Sequence, residues 1–300
     1  MAFCLNWLYD VVYIMTSFAT MIASFSMCKV RHKNVVLSLF CYFCIITFII
    51  LSNKIVCSDK EQKCYNGLTV DLPTSALRIG SDLVSLSTSV RDLRIYFDVD
   101  FSMRCHVQKT VASCFAILRQ LRSIWRSVPA SVYQTLVVAL VLSGLDYGNA
   151  VLTGLPGYLY NRLQSVLNAA ACSIAGLRRS DHITDTLASF HWLKARERVQ
   201  FKLATVVYHS LNGTAPSYLA ADLRRLADVP SRRRLRSSLT HQLDVRQSRC
   251  ATVGDRLFSV AGARLWNSLP KDLVACDSLP RFHRELKTFL FRHSYPSILI

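Results

Sequence analysis

Apolar residues recur at helical spacing through most of the chain after residue 103, and this pattern constrains the fold more than any other feature. The first such run begins at Met103 and is long enough for a helix of about six turns. Its apolar positions near one face are Val107, Val111, Phe115, Leu118 and Trp125. Its basic positions, mostly on the other face, are Arg104, Lys109, Arg119, Arg122 and Arg126. The pattern predicts an amphipathic helix that buries its apolar face.

Prolines and glycines divide the following sequence into further helices. Pro129, Pro156 and Pro216 each suit the first turn of a helix, and Gly176 suits a left-handed stop. The predicted helices are Ala130–Leu142, Pro156–Gly176, Trp192–Leu211, Pro216–Leu226 and Leu279–His293. Because Ala130–Leu142 is apolar almost all round, we expect it to be central.

Short β-prone pieces precede the helices. They are Leu77–Ile79, Leu83–Leu86 and Leu93–Phe97, separated by Gly80 to Asp82 and by the polar run Ser87–Asp92. The predicted fold is therefore mainly α, with a small sheet or hairpin near residues 77–97 followed by a helical bundle. We predict three parts: a hydrophobic segment 1–71 with one or two helices, strands and an amphipathic helix in 72–126, and a helical region 127–300.

The N-terminal segment is a different kind of sequence. Val35–Ser52 is eighteen residues without a charge, just long enough to cross most of a hydrocarbon layer. Val11–Cys28 is also uncharged, but hydroxyl residues dilute it. The segment indicates one or two membrane spans, or an unselected exon or read-through segment that resembles a span by chance. The acidic leader Met1–Asp10 argues against a cleaved signal peptide.

Charge is distributed unevenly along the chain. Residues 1–71 hold six basic and four acidic groups, so residues 72–300 carry +15 of the formal net charge of +17. This balance favours a polyanionic partner, and the alternative is a solvated basic surface that keeps the protein soluble. The eleven cysteines have no recurring interval and do not indicate a disulfide framework.

Five segments in order resemble the region that follows the polymerase in LINE-type, jockey-like non-LTR retrotransposons. They are Arg91–Val107 (RDLRIYFDVDFSMRCHV), Leu140–Leu177, Ser180–Leu219, Val260–Leu273 (VAGARLWNSLPKDL) and Leu279–Phe291. The resemblance covers roughly residues 72–297 and begins abruptly after Asp71. It implies a helical thumb and C-terminal region that grips template and primer. Members of that family usually have Gly where this chain has Arg94, so we expect the turn after Asp92 to lose its geometry.

The sequence lacks the residues of the catalytic motifs considered. Polymerisation by two metal ions needs closely spaced carboxylates, and no Asp-Asp pair occurs in the chain. Asp98 and Asp100 form an Asp-x-Asp that is more typical of a solvated turn than of a metal site. P-loop, nucleophile-elbow and His-Glu-x-x-His motifs are also lacking, and we expect His191, beside Trp192, to be packed rather than catalytic. We therefore expect no enzyme activity, no cofactor and no metal site.

The densest charge cluster lies between residues 224 and 256, where nine arginines face three acids. Guanidinium groups bind phosphate oxygens in bidentate fashion, and each neutralised phosphate releases counterions. The predicted nucleic-acid-binding residues are Arg224, Arg225, Arg232, Arg233, Arg234, Arg236, Arg246 and Arg249. The ninth arginine is Arg256. A nuclear-localisation signal or a flexible solvated loop is the alternative.

Three functional hypotheses follow from the sequence. The first is a non-catalytic retrotransposon fragment that binds RNA or DNA through phosphate contacts without reading sequence. The second is a small protein anchored in the membrane through Val35–Ser52. The third is an open reading frame without a selected function. The expected localisation is the membrane if the span is real, and otherwise the nucleus or cytoplasm.

Overall fold

The structure is a computed structural model that describes residues 77–79, 82–84, 87–178, 180–228, 241–248 and 253–296. It is mainly helical, with a small β region before the helices, which confirms the predicted fold class. The apolar segments predicted within residues 1–71 lie outside the described residues. No described helix is long and apolar enough to cross a membrane.

Two antiparallel hairpins form the β region. Strands β1 (Leu77–Ile79) and β2 (Asp82–Val84) pair with each other. Strands β3 (Ser89–Asp92) and β4 (Ile95–Asp98) form the second pair, with Asp92 opposite Ile95. The polar run Ser87–Asp92, which the sequence analysis interpreted as a separator, thus contains a strand. Pairing with β4 supplies its backbone hydrogen bonds, so it forms although Val90 is 59% exposed.

The turn between β3 and β4 keeps a tight hairpin geometry, contrary to the expectation from Arg94. Leu93 and Arg94 have φ angles of 44° and 67°, the left-handed region that a two-residue primed turn requires. The hydroxyl of Tyr147 donates a hydrogen bond to the Leu93 carbonyl at 2.8 Å. The Arg94 guanidinium lies 5.8 Å from the centre of the Tyr147 ring. These contacts from Tyr147, 54 positions away in the chain, hold a turn that has no glycine.

Helices occupy most of the remaining described sequence. In chain order they are α1 (Arg104–Ile124), α2 (Ala130–Val137), α3 (Ser143–Asp146), α4 (Gly157–Ala175), α5 (Thr184–Ser189), α6 (Ala195–Leu211), α7 (Ser217–Asp222), α8 (Ala263–Ser268), α9 (Lys271–Val274) and α10 (Leu279–Ser294). A π-helical turn, Val138–Leu142, joins α2 to α3, and another, Phe258–Gly262, precedes α8. The 3₁₀ turns are Asn149–Leu152, Leu226–Asp228 and Gly254–Arg256.

Helix boundaries follow the predicted punctuation closely. Pro129, Pro156 and Pro216 occupy the cap positions immediately before α2, α4 and α7. Gly176 has a φ of 67° and ends α4, with the Leu177 amide donating to the Cys172 carbonyl at 3.0 Å. The helix predicted from Trp192 begins later, at Ala195.

The segment predicted to be central is only half buried. Helix α2 and the following π turn bury Tyr133, Val137 and Val141 on one side. On the other side Val132, Val138 and Leu140 are 45%, 41% and 47% exposed. Because the segment lies at the surface of the bundle, one stripe meets the core and an equally apolar stripe meets solvent.

The core forms where α4 and α6 meet their neighbours. Helix α1 packs along α4, α6 packs on α4 and α10, and α8 lies against α6. Three aromatic side chains join α6, α8 and α10. The rings of Tyr208 and Phe282 are stacked with their centres 4.4 Å apart, and the ring centre of Trp266 lies 5.9 Å from that of Phe282. One continuous cluster of buried residues runs from Ile95 to Tyr295.

Candidate nucleic-acid interface

Three of the eight arginines predicted to bind nucleic acid lie in the described residues. Arg224, Arg225 and Arg246 have exposed side chains. The other five predicted arginines, Arg232, Arg233, Arg234, Arg236 and Arg249, lie outside the described residues. The described part of the cluster therefore comprises the chain that enters and leaves the arginine-rich loop 229–240.

The two ends of this loop are held side by side. Arg225 and Leu243 form an antiparallel bridge. The Leu226 amide donates to the Gln242 carbonyl at 3.0 Å, and the Asp244 amide donates to the Arg224 carbonyl at 2.7 Å. We call this paired segment, 224–226 with 242–244, the loop base. It brings residues 18 positions apart into register, so the loop leaves and returns at one place on the surface.

Helix α8 fastens the loop base to the core. The indole Nε1 of Trp266 donates to the His241 carbonyl at 3.1 Å. The side-chain amide of Asn267 accepts from the Leu243 amide and donates to the Leu243 carbonyl, both at 2.8 Å. Leu243 itself is only 1% exposed. The Trp-Asn pair in the segment Val260–Leu273 thus acts as a structural clamp.

Arg225 has a structural bond as well as an exposed position. Its Nη2 donates to the carbonyl of Leu211, the last residue of α6, at 3.1 Å. A cation at the C-terminal end of a helix interacts favourably with the helix dipole. Arg225 therefore stabilises the packing of the loop base, while Arg224 within the loop base and Arg246, two residues beyond it, are exposed.

Arg256 belongs to the sequence cluster but not to this surface. Its guanidinium donates to three backbone carbonyls: Phe101 at 2.6 Å, Thr153 at 3.1 Å and Val151 at 3.4 Å. Burial lowers the pKa of Arg256, although Tyr160, when it is ionised, and Asp100 favour the cation. Its side chain also approaches Gly154, where a Cβ would lie 2.9 Å from Cγ. This arginine holds the loop before α1 against the turn before α4.

Asp98 and Asp100 organise the beginning of α1. Asp98 Oδ2 accepts hydrogen bonds from Ser102 Oγ at 2.9 Å and from the Cys105 amide at 3.2 Å. Asp100 Oδ1 accepts from the Ser102 amide at 3.0 Å. Partial burial would raise the pKa of Asp100, but the bonds from Ser102 and the charge of Arg104 outweigh it, so the pKa is lowered. Among the described residues no cluster of three potential ligands could hold a metal ion.

Two histidines have structural positions. His106 on α1 is 4% exposed, and its Nδ1 accepts a hydrogen bond from the Tyr96 amide at 3.4 Å. Burial lowers the pKa of His106 to about 4, against the opposing charge of Asp98. His191 is exposed, in a left-handed conformation after α5, and its ring centre lies 5.8 Å from that of Phe291. Its φ of 53° allows the Trp192 amide to donate to the Leu187 carbonyl at 3.0 Å.

A second basic surface, around Trp125, was not predicted from the sequence. Trp125, assigned there to the apolar face of the first helix, lies just beyond the end of α1 and is 49% exposed. Arg122 on α1 and Arg126 in the following turn are also exposed. Pro129 was the available signal, because a helix rarely continues into the residues before a proline. A helix that ends at Ile124 need not bury the next residue.

Comparisons with protein-family models, curated proteins and solved structures found no match to this chain. The resemblance of five of its segments, in the same order along the chain, to LINE-type retrotransposons therefore stays a prediction.

Proposed function

We propose that this chain binds the backbone of RNA or DNA without reading its sequence, and that it is a non-catalytic remnant of a retrotransposon polyprotein. The observation that carries the proposal is the loop base. It presents Arg224 at the surface, and Arg246 is exposed two residues beyond it. Phosphate contacts of this kind supply affinity and position but no base specificity.

The clamp by Trp266 and Asn267 supports the proposal energetically. Binding costs less conformational entropy where the contacting groups are already held in place, and the clamp and the loop base hold the chain on both sides of residues 229–240. Arg225 and Leu243 contribute to this rigidity. In the proposed complex the loop supplies most of the charge, and Arg224 and Arg246 extend the contact onto the folded surface.

The exposed apolar stripe on α2 and its π turn supports the proposed origin. Val132, Val138 and Leu140 are as exposed as many polar residues, although their neighbours on the opposite side are fully buried. In a longer polyprotein this stripe would pack against the polymerase that precedes this region. A fragment separated from that partner exposes the stripe to solvent.

A salt titration of binding tests the proposed function. The full chain is compared with a variant in which Arg232, Arg233, Arg234 and Arg236 are changed to alanine. The logarithm of the association constant should fall linearly with the logarithm of salt concentration, by roughly 0.9 per neutralised phosphate on duplex DNA. We expect the loop variant to reduce this slope by about 3.

The matched control removes the same number of charges elsewhere. Arg281, Arg284, Lys287 and Arg292 are exposed on α10 and are changed together to alanine. Their loss should change the slope by less than about 1. Equal effects of the two variants would mean that only net charge matters, and no binding by the full chain at low salt would end the proposal.

A further inference from the structure

The end of α1 and the end of α4 enclose an open cavity of about 240 Å³. Its lining residues are Arg122, Trp125, Cys172, Ser173, Gly176 and Leu177. The cavity is remote in sequence from the arginine-rich loop, and its two walls come from helices that pack along each other. It is therefore a built feature of the fold.

Trp125 forms the aromatic wall of this cavity. About half of its side chain is exposed, whereas the other two tryptophans in the described residues, Trp192 and Trp266, are 8% and 3% exposed. A large exposed indole next to an open cavity offers a flat apolar surface that can stack with another planar ring. Gly176, on the opposite wall, leaves open space where a side chain would project.

Cations surround the indole. The guanidinium carbon of Arg126 lies 5.9 Å from the Trp125 ring centre, at the outer limit of a cation–π contact. Arg122 lines the cavity, and Arg119 is exposed one turn earlier on α1. Arg178, also exposed, follows Leu177 directly. This arrangement groups positive charge near the aromatic wall.

Asp181 is an acid close to this group. Its Oδ2 accepts a hydrogen bond from the Arg178 amide at 2.8 Å. Burial raises the pKa of Cys172, as does the charge of Asp181, while Arg122 lowers it. With Arg119, Arg122, Arg126 and Arg178 nearby, the surface retains an excess of positive charge.

We propose that this cavity is a binding site for one unpaired base of a single-stranded nucleic acid, stacked on Trp125 with its flanking phosphates on Arg122 and Arg126. An aromatic face bordered by arginines has the two features of a single-strand site, since every base has a π face and every linkage has a phosphate. In a duplex the base faces are covered by neighbouring pairs, so the site selects single strands. It goes beyond the proposed backbone binding, because the loop base has no such aromatic wall among its described residues.

The test measures binding of the full chain to a short labelled oligothymidylate and to a duplex of the same length. Trp125→Ala and Trp125→Leu should weaken binding of the single strand by roughly 5- to 150-fold. Trp125→Phe retains a ring and should keep most of the affinity. Duplex binding should change less than about twofold in all three variants.

The three substitutions separate stacking from apolar contact, since leucine keeps apolar area but has no π face. If Trp125→Leu binds the single strand as well as Trp125→Phe does, the stacking site is wrong. A change in sedimentation of the Trp125 variants without a change in single-strand affinity would assign the surface to protein contact and would also overturn the proposal.

The arginine-rich loop variant distinguishes this proposal from the proposed function. If that variant weakens duplex binding while the Trp125 variants bind single strands normally, only the stacking site fails. If Trp125 controls single-strand affinity and the loop variant has no effect, only the loop proposal fails. If the chain binds neither the single strand nor the duplex, both proposals are overturned. Thermal unfolding midpoints of the Trp125 variants that equal the wild-type midpoint establish that the fold is intact.

Discussion

Arg198 on α6 holds the carboxylate of Asp146 at the end of α3 through two hydrogen bonds. Nε donates to Oδ1 at 2.8 Å, and Nη2 donates to Oδ2. The side chain of Arg198 is 17% exposed and that of Asp146 is 37% exposed. Asn149 Nδ2 donates to the same carboxylate at 3.3 Å. The pair joins residues 52 positions apart and holds α6 against the end of α3.

Replacing Arg198 by lysine should destabilise the fold. Lysine keeps the charge but cannot make the two parallel bonds of a guanidinium. Because Asp146 is partly exposed, solvent screens the pair, and we expect a loss of about 1–2 kcal/mol in the free energy of unfolding. Denaturant titration of Arg198→Lys, Asp146→Asn and the double variant measures it. Additive losses would show that the two residues do not interact energetically.

Replacing Arg94 by glycine should stabilise the hairpin. A side chain in the left-handed region costs about 1–2 kcal/mol, and glycine removes this strain. Loss of the contact with Tyr147 offsets about 0.5 kcal/mol of the gain. We expect a net increase of about 0.5–1.5 kcal/mol in the free energy of unfolding.

Arg94→Ala is the matched control for that substitution. Alanine keeps the strain and loses the contact with Tyr147, so it should destabilise the protein slightly. Thermal unfolding of the two variants compares them directly. If glycine and alanine have the same effect, the turn is not strained at Arg94.

His106 should make the stability depend on pH between about 4 and 6.5. The pKa of His106 in the folded state is about 4, below the ordinary histidine value of 6.5. As the pH falls through this window the unfolded chain gains a proton that the folded protein excludes, so this contribution is fully present above 6.5 and is lost by about 4. The loss is at most about 3 kcal/mol.

His106→Gln removes this titration. The difference between wild type and variant in denaturant midpoint, measured across the window, should shrink as the pH falls. The control is His182→Gln, since His182 is exposed. A constant difference for His106→Gln would mean that His106 takes up its proton at the same pH in the folded and unfolded states.

Arg256 and Arg246, from the same sequence cluster, should behave in opposite ways. Arg256→Ala leaves three carbonyls without their donor and should cost about 2 kcal/mol or more, because bonds to a charged group are strong. It should leave the salt dependence of nucleic-acid binding unchanged. Arg246→Ala should leave stability within about 0.5 kcal/mol of wild type and reduce the salt slope by about 1. A salt slope that changes only in Arg256→Ala would contradict both assignments.

Periodicity and punctuation in the sequence determined most of the helical fold. Local rules were sufficient for α1, α4 and α10, because the apolar spacing identifies each helix, and Pro156 and Gly176 mark the beginning and the end of α4. The strand Ser89–Asp92 could not be found in this way, since its stability comes from pairing with β4 and not from its own residues.

Tertiary structure alone decided what each arginine does. No local sequence pattern distinguishes a guanidinium that binds phosphate from one that donates to backbone carbonyls. Arg256 is structural because Phe101 and Val151, more than one hundred positions away, bring their carbonyls to it. In the same way Trp125 is exposed although the apolar spacing assigned it to the buried face, and its cavity exists because α4 ends beside it. These roles depend on packing between distant segments, which no local pattern contains.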